Sequence, residues 1–250
     1  MHIKHEHELY FDRAIKVFKR ALIMSGLLLL TACSPNASPQ NSTTSIPIKA
    51  SISLEQALGV YIQTLDQKGK PLNFGHGVLL SNGDICSDKH IFEESSETTT
   101  AYADIKGVGK IPYPIQGNKE IIFPGDTYLD NNNRTKIDGI VCHNFSSDPM
   151  VRTALSDGSP LPKRNTKEIS VGDKVSIMTQ NYTPITGTYT GQDLYPYVKI
   201  FETGLISNKI GDSGGPAYKL ENNSATVIGL VGLVNNVNGT NFTAIYDLNQ

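Results

Sequence analysis

Ser213 stands in the run Gly-Asp-Ser-Gly-Gly-Pro, residues 211 to 216. A serine alcohol is a poor nucleophile until a base takes its proton. Its chemistry therefore depends on a histidine and a carboxylate elsewhere in the chain. There are six histidines. His2, His5 and His7 fall in the first few residues, which leaves His76, His90 and His143. His90 closes "GHGVLLSNGDICSDKHIF", residues 75 to 92. "GVLL" predicts a short apolar strand, "SNGD" a tight hairpin turn and "ICS" the returning strand. His90 then sits just past a strand end, where a side chain can point into a cleft. His76, between two glycines, reads as a loop or strand-edge residue. His143 follows "IDGIVC" and reads as a surface or satisfied polar residue closing a strand. Asp138 is the carboxylate candidate, expected at the head of the apolar strand in "NNNRTKIDGIVCHNF", residues 131 to 145. An aspartate there can accept the histidine N–H and fix its tautomer. Asp126 and Asp130 read as solvated residues of a Gly/Asn-rich turn. A calcium loop of the EF-hand type is excluded by ligand spacing and the missing closing glutamate.

The elements that must position these residues are strands. Gly, Asn, Ser and Thr are abundant and long helical periodicities are scarce, which predicts an all-β fold with many turns. Charged residues are 18% of the chain and the formal net charge is -2, with no Lys/Arg cluster, so a nucleic-acid partner is not expected. The N-terminus is set apart. Lys16, Lys19 and Arg20 precede the apolar run "ALIMSGLLLLTA", residues 21 to 32, too short for a permanent membrane helix, and Cys33 follows. This order resembles a bacterial lipoprotein signal, which implies cleavage before Cys33 and acylation (palmitate among the chains) of its thiol. An ordinary secretory signal with a coincidental cysteine is the alternative. The resemblance makes residues 1–32 a signal peptide and 33–50 a disordered tether, rich in Ser, Pro, Asn and Thr. It implies lipid anchoring to the membrane of a bacterial cell envelope. Ser34, a non-aspartate after the lipidated cysteine, points to the outer membrane, facing periplasm or surface.

With His90, Asp138 and Ser213 in that order, the chain resembles the chymotrypsin-like (trypsin-fold) serine peptidases, since other serine-hydrolase folds order their triads differently. "GHGVLL", "CSDKH", "IDGIV", "ISVGDKVSIM" (169 to 178), "GDSGGPAY" and "VIGLVGLV" (227 to 234) carry the resemblance. It implies two six-stranded antiparallel β-barrels with the active site in the cleft between them. The domain would run over 51–250, with the first barrel at 51–150 and the second at 165–250. "SSDPMVRTALSDGSPLPKRNTK", residues 146 to 167, reads as a Pro/Ser-rich connector. The implied activity is a serine endopeptidase working through an acyl-enzyme, with no metal or organic cofactor, on a protein or peptide substrate, as a monomer.

The resemblance also assigns roles. His90 is the base, Asp138 its orienting partner and Ser213 the nucleophile. The backbone N–H groups of Gly211 and Ser213 form the oxyanion hole. Ser207 lies at the base of the primary pocket, with Gly232, Leu233 and Val234 on its wall. The absence of an aspartate at the base argues against cleavage after Arg or Lys, and Val234 at the mouth points to a small or medium apolar residue. No activation site pairs with Asp212, so a zymogen step of the trypsin kind is not expected. Cys86 lies four residues before His90 and Cys142 four after Asp138. In the family fold their strands are neighbours, which allows a disulfide; two buried free thiols are the alternative. A lipid-anchored binding module on an inactive or partner-activated peptidase scaffold is the reading from a different functional class.

Overall fold

The computed structural model describes residues 51–93, 100–115, 119–129, 135–179, 182–195, 197–203, 213–237 and 240–248. Apolar residues at every second position dictate most of its strands. β1 (Val60–Leu65) buries Val60, Ile62 and Thr64 and turns the residues between them outward. β4 (Thr100–Ile105) does the same with Ala101, Ala103 and Ile105. β2 (Pro71–Leu79) breaks the pattern, being buried on both faces from Gly75 to Leu79. Leu79 enters one core and Val78 another.

The first sheet is completed by β3 (Asp84–Asp88), β5 (Gly109–Tyr113), β6 (Lys119–Leu129) and β7 (Thr135–Asn144), in the order β5-β4-β1-β2-β3-β7-β6. Every neighbouring pair is antiparallel. The hairpin expected at "SNGD" joins β2 to β3. Gly83 there has φ +85°, its N–H donates to Leu80 O, and Leu80 N–H donates to Asp84 O.

The second sheet holds β8 (Lys163–Arg164), β9 (Lys174–Met178), β10 (Pro184–Tyr195), β11 (Val198–Thr203), β12 (Pro216–Glu221), β13 (Ser224–Val237) and β14 (Thr240–Asp247). Its order is β12-β9-β10-β11-β14-β13-β8, and β12 also pairs with β13. That last pairing closes β9 to β14 into a six-stranded antiparallel barrel, with β8 attached outside it in parallel to β13. The all-β expectation of two antiparallel sheets is met. Among the described residues each sheet has seven strands rather than six, and the first has β5 and β6 at its edges.

Among the described residues three helices accompany the strands: α1 (Leu54–Leu58), α2 (His90–Glu93) and α3 (Pro149–Ser156). α1 opens on a capping box in which Ser53 and Gln56 satisfy each other's backbone N–H. α3 falls inside the segment expected to be a plain connector. Asp148 caps it, accepting from Met150 N and Val151 N, and Pro149 takes the first turn, where its missing N–H costs nothing. Val151 and Ala154, three residues apart, turn one face into the core of the first sheet.

Among the described residues the buried hydrophobic side chains form three clusters. One lies under the first sheet, around Ile62, Leu79, Ile85 and Ile105. Another, with Val175, Ile177, Phe201 and Ile245, belongs to the closed barrel. The third is composite: Val78, Leu80, Cys86, Ile140 and Cys142 come from the first half, and Met178, Val198, Tyr218, Leu230 and Tyr246 from the second. No helix among the described residues is long and apolar enough to cross a membrane.

Candidate active site

The pairing of β3 with β7 fixes the site. Asp84 faces Asn144, Cys86 faces Cys142, and Asp88 faces Ile140. Lys89 N–H donates to Gly139 O at 2.9 Å, which carries the contact one step beyond the ladder. The next pair in the same register is His90 and Asp138. There the chain turns into α2, and Nδ1 of His90 lies 3.1 Å from Oδ2 of Asp138. Cys86 and Cys142 share this register four residues back. Their Cα atoms are 4.1 Å apart and their sulfurs are bonded in a disulfide.

Asp138 is the fourth residue of β7 rather than its head. The strand starts earlier because Thr135 and Lys136 pair with Leu129 and Tyr128 of β6. Asp138 is buried, and its carboxylate is well supplied with donors. Oδ1 accepts from Gly139 N–H at 2.8 Å, and Oδ2 accepts from the Tyr246 hydroxyl at 3.0 Å as well as from His90. Burial pushes its pKa up, but the interactions with His90, the neighbouring Asp88 carboxyl and the Gly139 N–H outweigh that and hold it below the usual carboxylate range.

Ser213 reaches the site from the second sheet. His76 N–H, in β2, donates to Ser213 O at 2.8 Å. Gly214 N–H donates to Val231 O at 2.7 Å, and Val231 N–H donates to Gly215 O at 2.8 Å. Gly214 has φ +79°, and a Cβ there would come within 2.0 Å of His76 O and 3.1 Å of Asp88 N. Only glycine permits both the backbone conformation and this approach. The Ser213 turn is thereby fastened against the strand ends from which His90 departs. The Ser213 hydroxyl has a long hydrogen bond, 3.5 Å, to Gly232 O.

Two residues that sequence reasoning did not select belong to this cluster. Asp88 is fully buried and places Oδ1 3.0 Å from Nδ1 of His90. Burial, and then the Asp138 charge, push its pKa well above the ordinary value. Its one signal in the sequence is position: two residues before His90, the strand repeat. Tyr246, in β14, is the donor to Asp138 and lies 108 residues away from it, so no local pattern announces it. For His90, burial disfavours the imidazolium, but the flanking Asp88 and Asp138 carboxyls together hold its pKa well above the ordinary histidine value.

The remaining candidates distribute as follows. His76, expected in a loop or at a strand edge, lies inside β2 and is fully buried, paired with Tyr61 of β1. Its ring stands edge-on to Tyr61 and Tyr182, neither nitrogen has a well-formed hydrogen bond among the described residues, and burial lowers its pKa to about 4. His143 is the penultimate residue of β7, half-buried against the Phe145 ring, as expected. Asp126 falls within β6 rather than in a turn, in a stretch where the β6–β7 register shifts. Gly232 lies in β13, and a Cβ there would come within 2.2 Å of the Tyr246 ring. The backbones of Leu233 and Val234 pair with Ala244 and Thr243. Cys33, Asp130, Ser207, Gly211 and Asp212 lie outside the described residues.

Several solved structures are similar to the chain. The Rv3671c protease of M. tuberculosis, in its active form, has a TM-score of 0.44 and 17% identity, over 89% of this chain and 90% of that one. The NS6 protease of murine norovirus 1 has a TM-score of 0.43 and 15% identity, over 79% and 93%. An inactive mutant of the murine norovirus NS6 protease with a C-terminal extension has a TM-score of 0.43 and 14% identity, over 80% and 94%. No family model and no curated protein matches the chain.

Proposed function

We propose that the chain is a serine endopeptidase. The observation that carries this reading is the His90–Asp138 pair, half-buried at the histidine and buried at the aspartate, with Nδ1 to Oδ2 at 3.1 Å, set beside a turn that presents Ser213. With Nδ1–H given to Asp138, Nε2 of His90 is the basic nitrogen. It takes the Ser213 proton as Oγ attacks a peptide carbonyl. The imidazolium then hands that proton to the leaving amine, and water hydrolyses the acyl-enzyme by the same route. Asp138 orients the ring and balances its charge. The N–H groups of Gly211 and Ser213 stabilise the oxyanion. No metal or organic cofactor enters these steps. Ser207, Gly232, Leu233 and Val234 form the primary pocket, which takes a small or medium apolar side chain; cleavage mapped mainly after Arg or Lys overturns that assignment.

Residues 1–32 are a signal peptide in this reading. Acylated Cys33 and the tether to residue 50 hold a monomeric peptidase domain, 51–250, on the cell envelope, at the outer membrane. Radiolabelled palmitate incorporated by the parent and not by Cys33→Ala is the expected result.

The first experiment is covalent labelling of the full chain by a fluorophosphonate, beside Ser213→Ala and His90→Ala. Labelling of the parent, lost in both variants, is expected. A folded parent that resists the probe favours a second reading, a binding module or partner-activated scaffold. One observation supports that alternative: the Ser213 hydroxyl is directed at Gly232 O.

A further inference from the structure

His90 offers one N–H at Nδ1, and two buried carboxyls lie against it. Asp88 Oδ1 is at 3.0 Å and Asp138 Oδ2 at 3.1 Å. One oxygen of each, together with the ring nitrogen, fall within 4.8 Å of one another. The surroundings of the two acids differ. Asp138 accepts from Gly139 N–H and Tyr246 O–H. Asp88 is wholly buried, and among the described residues neither of its oxygens accepts a well-formed hydrogen bond. We propose that Asp88 is a positioning residue of the site, a second carboxyl that shares Nδ1 of His90 with Asp138 and can hold the ring in its place.

The inference rests on the peptidase reading for its catalytic consequence, but its geometry is independent of it. Two buried carboxyls this close do not both ionise, because like charges in a low-dielectric pocket repel strongly. The donors decide which one carries the charge. Asp138 has them and ionises; Asp88 lacks them and keeps its proton, with an oxygen within 4.8 Å of one of Asp138. The cluster therefore presents one negative charge to His90. That matters for a base. A second full charge would strengthen the imidazolium further and weaken the ring as an acceptor of the Ser213 proton. When His90 takes that proton, Asp138 carries the balancing charge and Asp88 stays neutral.

The other polar groups against the cluster do not compete for this role. Tyr246 on β14 donates to Asp138, and His76 on β2 is neutral above about pH 4. Lys89, between the two residues in sequence, gives its backbone N–H to Gly139 O.

Removing Asp138 is the informative perturbation. With its charge gone, the repulsion that adds to burial in keeping Asp88 neutral is removed, and beside His90 Asp88 takes over as the carboxylate. The test uses Asp138→Asn, Asp88→Asn and the double variant in the full chain. His90 is titrated by NMR, and fluorophosphonate labelling is timed against pH. In Asp138→Asn the His90 pKa is expected to stay above the ordinary value, and labelling to fall by less than about a hundredfold. In the double variant the raised pKa is lost and labelling falls by roughly 10⁴, the size seen when a triad aspartate is lost with no substitute. The proposal is overturned if Asp138→Asn alone shows the full loss and an ordinary His90 titration, with nothing added by Asp88→Asn. A parent that does not label sinks the peptidase reading and leaves the NMR test of Asp88 standing. Should the asparagine variants not fold, the ¹³Cγ resonance of Asp88 in the parent decides. A shift coupled to the His90 titration supports the sharing, and an independent titration refutes it.

Discussion

At the scale of single residues, the site depends on how Asp138 is kept ionised inside the protein. A buried carboxylate is costly unless donors surround it. Tyr246 supplies one of them, and Gly232 leaves the space in which its ring lies. Tyr246→Phe keeps the shape and removes the donor. A lost hydrogen bond to a buried charge costs on the order of 1–3 kcal/mol. The Asp138 pKa then rises toward its unfolded value. Because this acid must be ionised, the stability it contributes is present above the unfolded pKa and is lost on acidification; in the variant that contribution is smaller and its loss is complete at a higher pH. Fluorophosphonate labelling followed against pH is expected to show the acid limb displaced upward and the plateau lower by about tenfold. Gly232→Ala should reproduce this, since the new methyl group must push the same ring aside. An unchanged limb in both variants would show that Tyr246 is not a determinant of Asp138. Little of this was legible in the sequence. Ser213 announces itself through its glycines, but Tyr246 meets Asp138 only once two sheets are assembled. Asp88 resembles an ordinary polar residue at a strand end until its burial is known.

At the scale of elements, the spacing of the cysteines was the more informative pattern. Equal offsets of four, on opposite sides of His90 and Asp138, are what an antiparallel pair requires when both couples share one register. The disulfide and the histidine–aspartate pair are thus two rungs of the same ladder. The bond spans 56 residues of sequence, and losing a cross-link of that reach costs roughly 4 kcal/mol on a chain-entropy estimate. Replacing both cysteines by serine should lower the melting temperature and slow labelling, as the β3–β7 pairing beneath the site loosens. Equal melting temperatures for parent and variant would remove the bridge as a stabilising element. The Ser213–Gly214 turn makes a second prediction. Gly214→Ala meets both a left-handed φ and a clash with His76 O, so labelling should be lost even where circular dichroism still reports strands. The helix inside the connector was not legible for a physical reason: Ser and Pro content reads as loop, but Asp148 and Pro149 are also a helix start, and only the burial of Val151 and Ala154 decides between the two.

At the scale of the whole molecule, His76 ties acid stability to the heart of the fold. It is neutral in the folded chain, with a pKa of about 4 against 6.5 ordinarily. As pH falls, the unfolded chain takes the proton first. The stability His76 contributes is therefore complete above about 6.5, declines down to about 4 and changes no further below it; the difference amounts to about 3 kcal/mol. Urea unfolding at intervals from pH 7 to pH 4 should show this slope in the parent and a flatter one in His76→Phe. Equal slopes would place the acid sensitivity elsewhere. The composite cluster that joins Val78, Leu80 and Ile140 to Met178, Leu230 and Tyr246 has a consequence for descent. Each half supplies only part of that core, so neither half is a portable module. A recombination crossover in the connector, exchanging one half for that of a distant homologue, would pair core faces that never adapted to each other. Viable chimaeras are expected only where the incoming half carries matching volumes at these positions, and the two halves should therefore be inherited together.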